Sequence, residues 1–432
     1  MVFGTTILGS NPSAPANDML LINNIKKFLF PFYKDQEIKE IFQVLNKDKK
    51  NNAMMVGGCV RNFLNNEKIG DIDIATIFTP GEVIKKFSGS NFKIIETGLD
   101  HGTITLSKSG KNYEITTLRE DLVTDGRHAK VSFTRDWKAD SERRDFTINS
   151  IYLDQNGKIF DPQNGVQNLK EKKIKFIGDP QKRIEEDYLR ILRFLRFSLQ
   201  YKDFSKDDQT LKVIKQNLNG INKLSKERIF GELQKIVELE NLEDIQSNKV
   251  FYEIFNIIFP ELKYVNRLKG IESKEIKAFI KLENNLLFAL LMIDDTDNHL
   301  YFSHKYKISN LLKEYLAFIH SHFIQVKKNK NFFGKDLKKN IFYHGKRRMT
   351  SLAKFYFISK NKKNYLDLKN ILNNISSVSI PKFPITGTYL LEKGFKSGRK
   401  IGEVLKEAEK LWIKNNFDLK DEELSNLLKK YN

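Results

Sequence analysis

Two aspartates separated by one residue are the first feature of the sequence that could carry out chemistry. Asp71 and Asp73 lie in a short β-like run, and alternate residues of a strand project from the same face. Two carboxylates side by side suit Mg²⁺ and a displacement at phosphorus. A third acid, Glu114, lies on another candidate strand and could join them, although a solvent-facing position fits its spacing equally well. This pattern predicts a magnesium site at Asp71 and Asp73.

A pair of glycines precedes these acids. Gly57 and Gly58 follow the apolar run 53–56, and Arg61 comes three residues later. Because glycine has no side chain, the backbone N–H groups of such a turn can approach a phosphate closely, and the arginine can pair with that phosphate. The sequence therefore indicates a phosphate-binding turn next to the predicted metal site.

Two adjacent arginines, Arg143 and Arg144, are followed by Asp145. Adjacent arginines are ordinarily a surface pair, but a neighbouring carboxylate can hold one of them by a charge-assisted hydrogen bond. We therefore expect Asp145 to hold one guanidinium group while the other reaches a phosphate.

An aspartate and three arginines recur every three residues in a segment whose intervening residues are apolar or aromatic. Asp187, Arg190, Arg193 and Arg196 lie within residues 183–199, which have helical spacing and are predicted to form one helix. Arginines in so apolar a helix should be partly buried and should need partners. Those partners are either acids from other parts of the chain or a bound nucleotide.

The first two of these side chains could select a base. A carboxylate only accepts hydrogen bonds and a guanidinium group only donates them. Asp187 paired with Arg190 would therefore complement an edge that presents an amino donor beside a ring-nitrogen acceptor, which cytosine and adenine share. Guanine and uracil present the opposite pattern, at a cost of roughly 1 to 3 kcal/mol per mismatched group. The sequence hints at a site that takes C and A and rejects G and U.

The elements that must position these residues fall into two classes. Short β-like runs alternate with helical runs between residues 25 and 155, which predicts an α+β domain. Beyond residue 180, long stretches with helical spacing predict a mostly helical remainder. The β-like runs are 53–56, 71–75, 93–96, 102–107, 113–118 and 148–153, and examples of the helical stretches are 183–199, 226–239 and 311–326.

The charge of the 432-residue chain, formally +20, is concentrated in one segment. Residues 301–400, called the basic segment below, hold 22 Lys and Arg against 4 Asp and Glu, whereas residues 1–300 are nearly neutral. Codon bias would spread Lys along the whole chain, so this clustering favours a surface that binds a polyanion over a merely solvated face. Aromatic residues are interleaved with the cations, and we expect most of them in the core and some stacked on bases.

These motifs, in this order and spacing, resemble those of the class II tRNA nucleotidyltransferases, the CCA-adding enzymes. The match is strong over about residues 25–240, where 225–233 is similar to the neck motif of the family. The resemblance implies an α+β fold class, with a polymerase-β-like nucleotidyltransferase head (a mixed sheet with helices) followed by an all-helical neck, body and tail. The implied divisions are an N-terminal extension 1–24, a catalytic head 25–155, a neck 156–240 with the nucleotide-selecting helix, a body 241–345 and a tRNA-binding tail 346–432.

The resemblance also implies an activity, which is the addition of C, C and A to the 3′ end of tRNA from CTP and ATP without a nucleic-acid template. Mg²⁺ is the implied cofactor, tRNA, CTP and ATP are the implied partners, and neither a membrane nor an obligate protein partner is expected. Asp71 and Asp73 would bind the metal, and Glu114 matches a family acid near it. The implied nucleotide-binding residues are Gly58, Arg61, Arg144, Asp187, Arg190, Arg193 and Arg196. The implied flexible loop contains Asp125, Gly126 and Arg127. The expected tRNA-binding residues are Lys335, Lys338, Lys339, Lys346, Arg347 and Arg348.

One position departs from the family pattern. Asn62 follows Arg61, where the family usually has an aspartate. An amide can keep a hydrogen bond but not the charge, so a salt bridge from this position is lost.

Three alternatives stand beside CCA addition. Poly(A) polymerases share nearly all of these motifs, but their bacterial members tend to carry an Arg-rich strand where this chain has the CCA-like residues 97–105. Enzymes that add only CC lack the flexible loop that residues 120–129 retain. A non-catalytic tRNA-binding protein would not need Asp71 and Asp73. Full CCA addition is therefore favoured.

The cysteine content and the apolar runs bear on the compartment. The single cysteine, Cys59, excludes a disulfide framework and a multi-cysteine zinc site, and favours a reducing environment. The longest apolar run, 286–293, is far shorter than the ~20 residues that cross a bilayer. Residues 1–25 contain no Lys or Arg, unlike a secretory signal or a mitochondrial presequence. We expect the protein in the cytoplasm.

Overall fold

A computed structural model describes residues 35–48, 50–123, 130–240, 242–271, 282–360 and 365–431 of the chain. The chain divides into two compact units, Met1–Glu232 and Leu233–Asn432. The predicted metal-binding and nucleotide-binding residues belong to the first unit, and the basic segment belongs to the second.

The first unit is built on a mixed sheet. Its strands, in chain order, are β1 (Ala53–Val56), β2 (Ile72–Thr76), β3 (Lys93–Gly98), β4 (Thr103–Lys108), β5 (Lys111–Thr117), β6 (Arg119–Val123), β7 (Lys130–Phe133), β8 (Tyr152–Leu153), β9 (Ile159–Phe160), β10 (Lys173–Ile174) and β11 (Ser205–Lys206). Seven of them form one sheet in the order β3-β4-β5-β2-β1-β8-β9, in which every neighbouring pair is antiparallel except β2 and β5. Strands β6 and β7 form a separate hairpin.

Helices cover one face of this sheet. The described α-helices between residues 35 and 237 are α1 (Gln36–Leu45), α2 (Gly58–Leu64), α3 (Pro80–Phe87), α4 (Trp137–Glu142), α5 (Gly165–Lys170), α6 (Pro180–Glu186), α7 (Leu189–Gln200), α8 (Asp208–Asn217) and α9 (Lys226–Val237). Apolar residues of α1 and α3, among them Phe42 and Phe87, form one buried cluster with Ile74 of β2 and Ile115 of β5. Because side chains alternate along a strand, Asp73 lies on the opposite face from Ile74, away from this core.

The stretch predicted as one helix over 183–199 is two helices. It is interrupted at Asp187, whose φ of −154° and ψ of 103° are extended rather than helical. The side chain of Asp187 accepts a hydrogen bond from the backbone N–H of Leu189 at 3.1 Å, and aspartate competes in this way with helix continuation. The helical spacing of the apolar residues gave no sign of this break.

Strand prediction was accurate for the apolar runs and less so elsewhere. The run 53–56 forms β1 with the predicted bounds, whereas β2 begins one residue later than predicted, so that Asp71 immediately precedes it. Only the last two residues of the predicted strand 148–153 are a strand, because Thr147–Asn149 forms a 3-10 helix. The mixed sheet with helices, followed by a mostly helical remainder, confirms the predicted fold class.

The described part of the second unit is helical. Its helices are α10 (Lys249–Ile258), α11 (Asn284–Met292), α12 (Asn298–Tyr306), α13 (Asn310–Lys328), α14 (Leu337–Ser359), α15 (Tyr365–Ser377), α16 (Gly387–Glu392), α17 (Arg399–Lys414) and α18 (Asp421–Tyr431). Helix α14 is kinked at Gly345, whose φ of 77° and ψ of 157° favour glycine. Among the described residues, no helix is long and apolar enough to cross a membrane.

Candidate active site

Carboxylates from two parallel strands lie on one face of the sheet. Asp73 on β2 is in register with Glu114 on β5, and residues paired across neighbouring strands project from the same face. Asp71 precedes β2 and is exposed, whereas Asp73 is half-buried. Burial, and next the negative charge of Glu114, raise the pKa of Asp73 to about 6, with Arg144 acting in the opposite direction. The carboxylate of Glu114 is therefore close enough to oppose the ionisation of Asp73.

This donor set fits a divalent cation. Carboxylate oxygens are the hard ligands that such cations prefer, and a cation held by Asp71 and Asp73 would relieve their mutual repulsion. Within the described ranges, no three His, Cys, Asp or Glu side chains are grouped as a metal-binding set. The candidate metal site therefore consists of two aspartates, and a role for Glu114 stays a prediction.

The glycine turn lies beside these acids. Gly57 has φ 77° and ψ −134°, a conformation that glycine adopts at little cost. A Cβ at this position would lie 3.6 Å from Asp73 Oδ2 and 3.9 Å from Arg144 Nη1, and a Cβ at Gly58 would lie 3.7 Å from Arg61 Nη2. The turn thus brings backbone, one carboxylate and two guanidinium groups into contact range.

The two adjacent arginines are held by Asp140, a residue that the sequence analysis did not single out. Asp140 Oδ1 accepts from Arg143 Nε at 2.8 Å, while Oδ2 accepts from Arg144 Nη2 at 3.1 Å and from the Tyr152 hydroxyl at 2.7 Å. Burial opposes ionisation, but the guanidinium groups of Arg144 and Arg143 hold the pKa of Asp140 at about 2. The expectation that Asp145 holds Arg143 or Arg144 is wrong. Asp140 lies one helical turn before both arginines and accepts hydrogen bonds from both.

Asp145 pairs instead with the helix that carries the arginine repeat. Its Oδ2 accepts a hydrogen bond from Arg193 Nε at 2.5 Å, and Asn149 donates to its Oδ1 at 3.1 Å. Although burial opposes it, the positive charge of Arg193 lowers the pKa of Asp145 to about 2. Further along α7, Arg196 Nε donates to Glu232 Oε2 at 2.9 Å. The expectation that these arginines are partly buried and need partners is confirmed, and of the two kinds of partner that the sequence left open the structure shows acids.

Asp187 and Arg190 have separate partners. Asp187 Oδ2 accepts from Arg228 Nη2 at 2.7 Å, whereas Arg190 Nη1 donates to Glu186 Oε2 at 2.7 Å. In this arrangement each of the two side chains is bonded to a different neighbour. Their expected joint contact with a base edge stays a prediction.

Arg61 is buried among neutral partners. Its exposed fraction is 6%, and it donates from Nε to the Tyr201 hydroxyl at 2.7 Å, from Nη2 to Asn62 Oδ1 at 2.9 Å and from Nη1 to Asn149 Oδ1. Within the part of this unit that the structure describes, no carboxylate contacts the guanidinium group directly.

The six cations predicted to bind tRNA lie in the second unit, on both sides of the kink in α14. Five of them are exposed, and Lys338 is half-buried with its Nζ 4.7 Å from the centroid of the Phe417 ring. Arg347 Nη2 lies 3.2 Å from Glu283 Oε2, but both side chains are largely exposed. Of the interleaved aromatic residues, Phe332 is buried and Tyr343 is 52% exposed. The exposed cations are Lys335, Lys339, Lys346, Arg347 and Arg348.

Some predicted residues lie outside the described ranges. These are the N-terminal extension 1–24 and the loop residues Asp125, Gly126 and Arg127.

The acidic partners and the tyrosines of the site were not predicted. Asp140 stands three and four residues before Arg143 and Arg144, which is the spacing of neighbours on a helix and could have indicated the contact. Tyr152 gave no such signal, because its contact with Asp140 depends on how the strands and helices pack.

Two family descriptions match the chain. Residues 53–175 match the family described as "Poly A polymerase head domain", and residues 203–265 match "Probable RNA and SrmB- binding site of polymerase A". Together these matches span the mixed sheet and the whole of helices α8 to α10.

Similarity to characterised relatives extends over most of the chain. The chain is 34% identical over 397 residues to the CCA tRNA nucleotidyltransferase 1, mitochondrial, of Mus musculus, with 88% of each chain covered. It is 29% identical over 403 residues to the CCA-adding enzyme of Streptococcus uberis, with 88% of this chain and 94% of the relative covered. The solved structure of the Bacillus stearothermophilus CCA-adding enzyme in complex with CTP is 23% identical and has a TM-score of 0.69, covering 94% of this chain and 97% of that one. That structure has the same fold.

Proposed function

The chain belongs to the CCA-adding tRNA nucleotidyltransferases, and from this premise we propose which of its residues bind the metal, the nucleotide and the tRNA. The enzyme adds C, C and A to the 3′ end of tRNA from CTP and ATP. The observation that carries the assignment of the catalytic centre is the pair Asp71 and Asp73, which lies beside the turn at Gly57.

The family uses a divalent metal ion, and we propose that Asp71 and Asp73 hold Mg²⁺ here. Such an ion, when bound, neutralises charge that develops on the phosphate oxygens and on the departing pyrophosphate. Glu114, in register with Asp73, is proposed as a further acid next to the reacting groups. The tRNA 3′ hydroxyl attacks the α-phosphorus directly, so no covalent intermediate on the protein is required.

The turn at Gly57 and Gly58, together with Arg61 and Arg144, is proposed to bind the triphosphate. Arg144 donates hydrogen bonds from Nε to Asp140 and Tyr152 and from Nη2 to Asp140. Its remaining nitrogen, Nη1, has no acceptor among the described residues and lies towards Gly57. A phosphate oxygen beside this turn would supply the missing acceptor, in the charge-assisted geometry that guanidinium groups favour.

Asp187 and Arg190 are proposed to select the base, with Arg193 and Arg196 completing the nucleotide-binding wall. In the present arrangement Asp187 accepts a hydrogen bond from Arg228, and Arg190 donates one to Glu186. The amino group of cytosine or adenine would replace Arg228 as the donor to Asp187, and the ring nitrogen would accept from Arg190. A guanine or uracil edge would leave both protein groups without a matching partner.

The basic segment is proposed to bind the tRNA backbone, through Lys335, Lys338, Lys339, Lys346, Arg347 and Arg348. Exposed cations on both sides of a helix kink suit a curved polyanion better than a single point charge. We further propose that residues 25–155 are the head, 156–240 the neck, 241–345 the body and 346–432 the tail, and that Asp125, Gly126 and Arg127 belong to a loop used in the change from CTP to ATP.

We propose the cytoplasm as the compartment. The one cysteine, Cys59, is buried and unpaired, and burial raises the pKa of its thiol to about 12. The protein therefore has no disulfide that would require an oxidising compartment. The name of the mouse relative makes the mitochondrial matrix the alternative. Imaging of the tagged full-length chain against markers of both compartments separates the two.

The direct test of the activity is incubation of the protein with tRNA that ends before CCA, together with Mg²⁺ and labelled nucleotides. Stepwise extension by C, C and A is expected from CTP and ATP, with UTP and GTP excluded. Long adenosine tails would instead indicate a poly(A) polymerase, extension that stops after CC a partial enzyme, and tRNA binding without extension a non-catalytic protein.

A further inference from the structure

Arg61 is buried, and among the residues that the structure describes no carboxylate contacts it directly. A guanidinium group has five N–H donors. The single Nε–H is directed to the Tyr201 hydroxyl and, at a longer 3.2 Å, to Asn62; one N–H of Nη1 and one of Nη2 reach Asn149 and Asn62. Two donors remain for a phosphate. A buried cation without an acid would ordinarily be costly, so its charge must be balanced by other means.

The hydroxyl of Tyr201 leads from Arg61 to an acid. Tyr201 accepts from Arg61 Nε at 2.7 Å and donates its own proton to Glu67 Oε2 at 3.1 Å. A phenol that donates to a carboxylate becomes a stronger acceptor, because hydrogen bonds in a chain polarise one another. Burial and the nearby Glu67 carboxylate raise the pKa of Tyr201 to about 12, so the phenol keeps its proton at any working pH.

Two aromatic rings at the C-terminal end of α7, those of Phe197 and the capping residue Tyr201, also contact Arg61. The guanidinium carbon of Arg61 lies 4.9 Å from the centroid of the Phe197 ring and 5.6 Å from that of Tyr201. These two rings are stacked, with 6.4 Å between their centroids and an interplanar angle of 7°. The aromatic faces therefore hold Arg61 from the side while the Tyr201 hydroxyl fixes its Nε.

Asn62 fixes the loop that carries Glu67. Its Oδ1 accepts from Arg61, and its Nδ2 donates to the backbone carbonyl of Lys68 at 2.9 Å. An aspartate at this position could accept from the arginine but could not donate to that carbonyl. Asn62 therefore places no charge next to Arg61, but its hydrogen bond to Lys68 holds the adjoining loop in the position from which Glu67 contacts Tyr201.

We propose that Tyr201 and Glu67 are positioning residues for Arg61, and that the chain Arg61 to Tyr201 to Glu67, beside the route from Arg61 through Asn149 to Asp145, supplies the countercharge that Asn62 cannot. This inference rests on the proposed role of Arg61 in binding the triphosphate. It adds two residues, 134 positions apart in the sequence, that touch neither the nucleotide nor the metal ligands and act on the nucleotide only through the arginine.

The experiment measures kcat and KM for CTP and ATP, and the equilibrium affinity for CTP, in Glu67→Gln and Tyr201→Phe. Each variant is expected to lower kcat/KM for both nucleotides about tenfold, the size of one charge-assisted hydrogen bond, chiefly through KM. The affinity for tRNA should stay within twofold. Tyr113→Phe is the matched control, because Tyr113 is also buried and its hydroxyl also contacts a carboxylate, that of Asp35 at 3.2 Å; it should leave both constants unchanged.

A double-mutant cycle separates positioning from a general structural role. In an Arg61→Lys background there is no Nε–H for Tyr201 to accept. Adding Glu67→Gln or Tyr201→Phe to this variant should therefore lower kcat/KM by less than a further twofold. The proposal is overturned if Glu67→Gln leaves KM unchanged, or if its full effect persists in the Arg61→Lys protein. Should Tyr201→Phe fail to fold, Glu67→Gln alone still decides, because Glu67 is only half-buried. Failure of the proposed function is a different result, in which the unaltered protein does not extend tRNA at all.

Discussion

Positive charge is used in opposite ways in the first unit and in the basic segment. In the first unit, Arg144 and Arg193 are half-buried and each is bonded to a buried carboxylate. In the basic segment, Lys335 and Lys339 are exposed, and an ion pair such as that of Arg347 with Glu283 lies in solvent. Buried pairs fix the direction of a guanidinium group, whereas exposed cations attract a polyanion collectively and are screened by salt. We therefore expect nucleotide choice and tRNA affinity to be separable properties of this chain.

The largest effect is expected when the metal-binding pair is removed. Asp73→Ala should lower kcat by at least about a thousandfold, because no other described side chain can take its place beside Asp71. The affinity for tRNA should change less than twofold, because the basic segment is untouched. Single-turnover extension and filter binding measure the two quantities. Glu82→Ala, which removes an exposed carboxylate of α3, is the control, and retained turnover in Asp73→Ala would refute the metal role.

Removal of a selecting side chain should have a smaller and more specific effect. Asp187→Ala is expected to reduce the preference for CTP over UTP by about 5-fold to 150-fold, which corresponds to the roughly 1 to 3 kcal/mol cost of a mismatched group. The measurement is kcat/KM for each nucleotide on the same tRNA. Glu185→Ala, two residues away and exposed, should leave the preference intact. Unchanged discrimination in Asp187→Ala would remove this residue from the selecting site.

The buried pairs also make a pH-dependent contribution to stability. The pKa of Asp140 is about 2 in the folded chain against an ordinary 3.8, so its stabilising effect is present above pH 4 and is lost as the pH falls from 4 to 2. This difference is worth about 2 kcal/mol. In Asp140→Asn the free energy of unfolding should be lower at pH 6, and the gap to the unaltered protein should close by about that amount at pH 2. Parallel pH curves for the two proteins would contradict the assignment.

The smallest effect is expected for the exposed pair. Glu283→Gln should change the free energy of unfolding by less than about 0.5 kcal/mol, because ion pairs in solvent contribute little. The same change removes a negative charge next to Arg347, so the affinity for tRNA should rise slightly or stay constant. Chemical denaturation and tRNA binding at fixed salt measure both. If Glu283→Gln lowered the free energy of unfolding by more than about 1 kcal/mol, ion pairs would also stabilise the basic segment, and the contrast with the first unit would be refuted.

Much of the fold could be predicted because its signals are local. The run 53–56 is a strand with the predicted bounds since it is apolar and ends at glycine, and the helical spacing of 311–326 corresponds to α13. The acids of the candidate site were proposed from a local signal as well, because Asp71 and Asp73 are separated by one residue at the start of β2.

The partners of the arginines could not be predicted, because they depend on distant parts of the chain. Arg61 and Tyr201 are 140 residues apart, and Arg193 is 48 residues from Asp145. Asp187 is bonded in the same way to Arg228, which is 41 residues further on. Local spacing indicated that these side chains needed partners, but only the packing of the helices and strands decides which partners they have.

The most direct test of the separation between the two regions is the salt dependence of tRNA binding when Lys335, Lys338, Lys339, Lys346, Arg347 and Arg348 are changed together to Gln. The slope of log K against log salt should flatten by about 0.7 to 0.9 for each phosphate that the protein no longer neutralises, while the preference for CTP and ATP over UTP and GTP stays as it was. An unchanged slope, or a changed nucleotide preference, would contradict the account.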